Sequence, residues 1–182
     1  MSSVRQYHPQ YTVANYMQWE GNWELLYGTA VAISPSPFGP HERVVAKFVS
    51  QMDLAISMQG CLCVVYAGLD WIVHRDTVVR PDVMLVCGEQ PPRHLESPPA
   101  IAIEVLSDST SDKDRTVKRE LYESQGVEHY LIVDPVMHSI QWLRLGKAGY
   151  ADMSYQTGLH EAFTITLENG CNLRFDPRVI FS

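Results

Sequence analysis

The spacing of apolar residues sorts this chain into segments of two kinds. From His41 to Met58 the apolar positions Val44, Val45, Phe48, Val49, Met52, Ala55 and Ile56 recur at three- and four-residue steps. That period predicts a helix with one buried face, stopped at Gly60. Residues 11–20 (YTVANYMQWE) predict a short amphipathic helix, and residues 23–33 (WELLYGTAVAI) a strand that turns near Gly28. The stretch 34–40 (SPSPFGP) is dense in Pro and Gly and reads as a loop. Short β-like runs follow at Cys61–Tyr66, Leu69–Val73 and Asp82–Cys87, then a loop holding PPR at 91–93 and SPP at 97–99.

Residues 100–106 (AIAIEVL) are almost continuously apolar, as expected of a strand covered on both faces in the middle of a mixed sheet. SDSTS at 107–111 carries helix-capping residue types. A helix is expected from about Asp112 to Ser124, ending at Gly126. Residues 129–134 (HYLIVD) predict a second buried strand, closed by Pro135. The alternating runs IQWLRL at 140–145 and FTITLE at 163–168 predict an antiparallel extension. The order of elements is mixed α/β or α+β in one domain over residues 1–182, with no linker.

Composition narrows the functional classes. The chain has 182 residues, 46% of them hydrophobic and 19% charged. It can bury a sizeable core, and its composition does not predict long disorder. No run approaches 18 apolar residues, so no membrane-spanning helix is expected. The stretch MSSVRQYHPQ lacks a signal peptide's apolar segment, so the expected location is cytoplasmic. The net charge of −7 argues against a protein that coats DNA generically. It leaves room for an enzyme with an acidic metal site inside a local basic rim. Of Cys61, Cys63, Cys87 and Cys171 only the first two are close, as C-x-C, which is not a zinc-ribbon spacing. All four are expected to be reduced core residues.

Glu104 breaks the apolar run around it. A carboxylate in a central strand is costly unless it is paired, protonated or bound to metal. Otherwise it would have to lie at an edge, in water. Asp82 follows Pro81 and opens the strand DVMLVC. Alone it reads as a turn residue, but two adjacent strands could present Asp82 and Glu104 on the same side. Hard divalent cations favour such oxygens. Asp114, Lys118 and Tyr122 are spaced four and four, so they share one helix face. Asp114 and Lys118 could be a plain surface ion pair. Alternatively, Lys118 points back over the sheet end, where an ammonium could stabilise charge on a phosphate oxygen.

RPDVMLV at 80–86, AIEVLSDST at 102–110 and DRTVKRELYESQGVEHYLIVDP at 114–135, preceded by WELLYGTAVAISPSPFGPH at 23–41, resemble the Uma-two family. Its members are restriction-endonuclease-like proteins of the PD-(D/E)xK nuclease superfamily, and the resemblance covers about residues 10–170. It implies a restriction-endonuclease-like core with a mixed central sheet flanked by helices. It implies Pro81 and Asp82 as the PD pair, and Glu104 as the second acid. The superfamily's lysine should stand two residues later, where this chain has Leu106. In the family the lysine comes from the following helix, here Lys118. Glu24 is the implied N-terminal acid, and His41 matches a helix-opening histidine that can cap the helix or serve the site. Tyr122 reads as packing. Asp134 reads as a strand-ending turn residue, and Trp19, Trp23, Trp71 and Trp142 as core.

The expectation is therefore an endonuclease that hydrolyses DNA phosphodiesters with Mg²⁺ or Mn²⁺ and leaves a 5′-phosphate. Asp82, Glu104, the Val105 carbonyl and Glu24 would be metal ligands, and Lys118 would be catalytic. Cutting two strands needs two sites, which makes a homodimer an expectation too. The alternative is a catalytically inactive nuclease-like module that binds DNA or a protein partner. A hydrolase of small phosphate esters is a third.

Overall fold

A computed structural model describes residues 9–33, 39–107, 111–154 and 161–182. The architecture is mixed α+β, built on a six-stranded sheet. Its strands are β3 (Cys63–Ala67), β6 (Val83–Cys87), β7 (Ile101–Val105), β8 (His129–Asp134), β9 (Ser139–Gly146) and β10 (Gly149–Asp152). They lie in the order β10-β9-β8-β7-β6-β3. Only β7 and β8 run parallel, with Ile101 opposite His129 and Val105 opposite Val133. The crossover between them carries the second helical region, because parallel neighbours need a long connection.

Period-two alternation divides β6, β7 and β8 between two cores. Val83, Leu85, Ile101, Ile103, Val105, Leu131 and Val133 face α2 (Gly39–Gln59). That helix presents Val44, Phe48, Met52 and Ile56, a four-residue stripe. Met84, Val86, Ala102, Tyr130 and Ile132 face the other core with Trp71, Leu121 and Tyr122. Glu104 shares the parity of Ala102, so it points into this second core.

A four-stranded sheet, β2-β1-β5-β4, forms a second layer. It comprises β1 (Trp23–Leu26), β2 (Thr29–Ala32), β4 (Trp71–His74) and β5 (Thr77–Val79). The strand expected over 23–33, with its turn near Gly28, is a hairpin. Tyr27 and Gly28, with φ of 49° and 80°, form its two-residue turn. Positive φ at both positions matches the twist of the paired strands and favours glycine. Strand β5 was not legible, because three residues are too few for alternation to show.

The expected helix at 11–20 forms only as α1 (Val13–Tyr16). The expected helix after residue 111 forms, but not as one regular α-helix. Ser111–Lys113 (α3) leads into a π-helical segment, Asp114–Lys118, and then α4 (Arg119–Gln125). Gly126 ends it with φ 83°. Residues 34–38 and 108–110, expected as loop and cap, lie outside the described residues.

A hairpin of β11 (Phe163–Thr166) and β12 (Asn172–Phe175), followed by α5 (Pro177–Ile180), packs on α2. This corrects the reading of the cysteines as reduced. Cys61 is bonded to Cys171 and Cys63 to Cys87. Register brings the second pair together, since Cys63 and Cys87 are opposite residues of β3 and β6. The first pair joins the α2–β3 connection to the turn of the C-terminal hairpin. Cys63 and Cys171 are buried as expected; linear spacing could not show their partners. No helix among the described residues is long and apolar enough to cross a membrane.

Candidate active site

The C-terminal end of β7, beside the start of β6, gathers the polar residues that the second core encloses. Glu104 is 2% exposed. Its Oε1 accepts the Lys118 ammonium at 2.8 Å and the Tyr122 hydroxyl at 2.6 Å. Lys118, 3% exposed, also lies 2.9 Å from Glu24 Oε1 and 3.5 Å from Asp114 Oδ1. The Asp114–Lys118 pair is therefore buried and part of a cluster, not a surface pair. Tyr122 packs against Trp71 and Tyr130, and its hydroxyl gives it a polar task as well.

Glu24 sits on β1, in the second layer, and is 1% exposed. Oε1 also accepts the Arg80 amide at 2.9 Å, and Oε2 accepts the Lys113 ammonium at 2.5 Å. One carboxylate thus holds two lysines that are five residues apart. In an α-helix such residues point about 140° away from each other. The π segment closes its turns over five residues, which brings Lys113 and Lys118 round to one carboxylate. Sequence reasoning missed Lys113, because α-helical spacing separates it from Lys118.

Asp82 immediately precedes β6. Val83 pairs with Ile103, so the same register continued sets Asp82 beside Glu104 and Pro81 beside Val105. Asp82 Oδ2 accepts the Val105 amide at 2.7 Å. Pro81 has no N–H to give the Val105 carbonyl, so that oxygen has no ladder donor from β6. His41, near the start of α2, places Nε2 3.4 Å from Asp82 Oδ2 and Nδ1 3.2 Å from Glu42. Arg80 secures the approach to Pro81: its guanidinium donates to Asp70 at 2.7 Å and to Asn22 at 3.0 Å.

Electrostatics distinguish the acids. Burial works to raise the Glu24 carboxyl, but Lys118 and Lys113 outweigh it and bring it from 4.5 to about 2. Burial pushes Glu104 well above the carboxylate range; Asp114, Asp82 and Glu24 add to this against Lys118. Burial opposes the charge on Lys118, yet Glu104, Glu24 and Asp114 hold it well above its usual value. Burial also lowers His41, but Asp82 and Glu42 raise it overall. Glu24 is thus held as an anion and Lys118 as a cation, while burial favours the protonated form of Glu104.

The structure brings Asp82, Glu104, Val105, Lys118 and Glu24 to one end of the sheet. Asp134 stands apart, accepting the Val136 and Met137 amides as a turn residue. Trp71 and Trp142 are buried, while Trp19 and Trp23 are half-buried in an edge-to-face aromatic cluster. Among the described residues no three His, Cys, Asp or Glu side chains are already grouped as a metal cage. The oxygens of Asp82 and Glu104 with the Val105 carbonyl are nevertheless a hard donor set of the kind Mg²⁺ and Mn²⁺ accept with waters.

A sequence model of the Uma2 family, described as "Putative restriction endonuclease", matches residues 11–175. The chain belongs to the Uma2 family. A crystal structure of a nuclease from Anabaena variabilis ATCC 29413, described as putative and placed in family DUF820, superposes with a TM-score of 0.74. It shares 16% identity, over 94% of this chain and 97% of that one. That likeness shows the fold: the Uma2 chain has a restriction-endonuclease-like architecture. A DrdV–DNA complex matches 64% of this chain and 13% of its own at 12% identity and a TM-score of 0.32, too loose to carry an argument. No curated protein matches the chain.

Proposed function

We propose that this Uma2 protein is a divalent-metal-dependent endonuclease that hydrolyses DNA phosphodiester bonds. The observation that carries the reading is the buried ammonium of Lys118, 2.8 Å from Glu104. A buried, obligatorily charged lysine beside a strand-end acid pair supplies what an anionic transition state needs. Its arrival from a helix compensates for Leu106, which stands where the superfamily's lysine would be.

Asp82, Glu104 and the Val105 carbonyl would hold Mg²⁺ or Mn²⁺. Such an ion polarises a phosphate and makes water a better nucleophile. The remaining roles belong to the chain. Lys118 keeps its proton on Nζ and, paired with Glu104, would supply a fixed positive charge behind the metal-binding acids. Tyr122 fixes the Glu104 carboxylate through its hydroxyl. Glu24 holds Lys118 in place, and its two oxygens are already committed to lysines and the Arg80 amide. We therefore assign Glu24 to positioning and not to the ion.

One observation favours a second reading, a nuclease-like module without activity: Glu104 and Asp82 already accept hydrogen bonds from within the chain. The test is purified protein with single- and double-stranded DNA in Mg²⁺, Mn²⁺ or EDTA, beside Asp82→Ala. Metal-dependent cutting that Asp82→Ala loses, with its circular dichroism unchanged, is the expected result. Equal cutting by the variant refutes the site. No cutting, and no Mn²⁺ shift in melting temperature that depends on Asp82, supports the inactive module.

A further inference from the structure

Lys113 and Lys118 share one carboxylate but differ in exposure. The Lys118 side chain is 3% exposed and contacts three acids. The Lys113 side chain is 17% exposed, and among the described residues its ion pair is to Glu24. Lys118 is locked in the cluster, whereas Lys113 lies between Glu24 and solvent. Without Lys113, Glu24 Oε1 keeps the Lys118 ammonium and the Arg80 amide, while Oε2 loses its lysine. Moving Lys113 from Glu24 to an incoming phosphate therefore gives up the Oε2 contact and gains a phosphate contact.

The surrounding charge gives that exchange a direction. Glu24, Glu104 and Asp114 surround Lys118, Glu24 also holds Lys113, and Asp82 stands beside Glu104 with His41 against it. A polyanionic strand approaching this end of the sheet meets repulsion unless a cation at the rim receives it. We propose that Lys113 is a phosphate-binding residue, releasing Glu24 Oε2 to engage a phosphate of the DNA strand at the mouth of the site. This rests on the nuclease reading above, and it adds a strand-binding contact distinct from the chemistry assigned to Lys118.

The experiment measures binding of a labelled duplex across a series of KCl concentrations, with Ca²⁺ replacing Mg²⁺, and cleavage in parallel with Mg²⁺. Wild type is compared with Lys113→Met, Lys113→Gln and Lys113→Arg, and each melting temperature is recorded. The expected result is binding about tenfold weaker in Lys113→Met and Lys113→Gln at low salt, with the slope of log affinity against log salt reduced by about one. Lys113→Arg should restore both, since a guanidinium also binds phosphate. A merely structural lysine would change the melting temperature and leave the slope alone. An unchanged slope in a wild type that binds and cuts DNA overturns the Lys113 proposal only. A wild type that neither binds nor cuts overturns the nuclease reading along with it. Two neutral variants guard against one failing to fold.

Discussion

Replacing Glu24 by Gln keeps the shape of the side chain and removes its charge. Both lysines lose their shared anion, while the amide oxygen can still accept from the Arg80 N–H. The Glu24 carboxyl lies at about 2 in the fold against 4.5 unperturbed. That difference corresponds to roughly 3 kcal/mol of stability. Removing one partner of a buried ion pair costs about 3–5 kcal/mol, so the two routes agree. Because the folded value is depressed, the contribution is present above 4.5 and is lost as pH falls toward 2. Urea unfolding of wild type and Glu24→Gln should therefore show a gap of about 3 kcal/mol at pH 7 and roughly half of that at pH 3. A gap below about 1 kcal/mol at neutral pH, or one that does not change with acid, would refute the picture of Glu24 as a buried anion clamping two lysines.

Other expectations follow from the same contacts. Tyr122→Phe keeps the ring packing but removes the donor to Glu104; it should cost about 1.5–3 kcal/mol and slow any metal-dependent cutting, whereas unchanged melting and rate would return Tyr122 to a packing role. Thiol titration of unfolded, unreduced protein should find no free cysteine, consistent with the two pairs, and four free thiols would contradict them. Cys61→Ser with Cys171→Ser opens a link across 110 residues and should lower stability by up to about 5 kcal/mol, read by urea unfolding without reductant.

The legible parts of the fold were those where burial is one-sided or complete. The stripe Val44, Phe48, Met52 and Ile56 announced α2, and the apolar run around Glu104 announced β7. Glu104 itself was legible because a carboxylate there demands a partner, and the four-residue spacing from Lys118 to Tyr122 named the helix face that supplies it. Other features depend on contacts between distant segments. The turn near Gly28 was legible, but the three-residue β5 and the second layer it completes were not revealed by any periodicity. The cysteine pairs depend on strand register and on the path of the C-terminal hairpin. Glu24 was singled out through a family resemblance, but its bond to the Arg80 amide depends on how the two sheets stack.

The π segment at Asp114–Lys118 also defines a length signature. It works like a one-residue insertion that is not looped out but absorbed into the helix, shifting everything before it relative to everything after it. Lys118 and Tyr122 keep ordinary i,i+4 bookkeeping with the sheet, while Lys113 is indexed one step off. A chain of this architecture whose helix winds regularly through this point could aim one lysine at the strand-one glutamate, but not two at this spacing. The feature to look for in other sequences is thus K-x-x-x-x-K before the tyrosine, not the lysine alone.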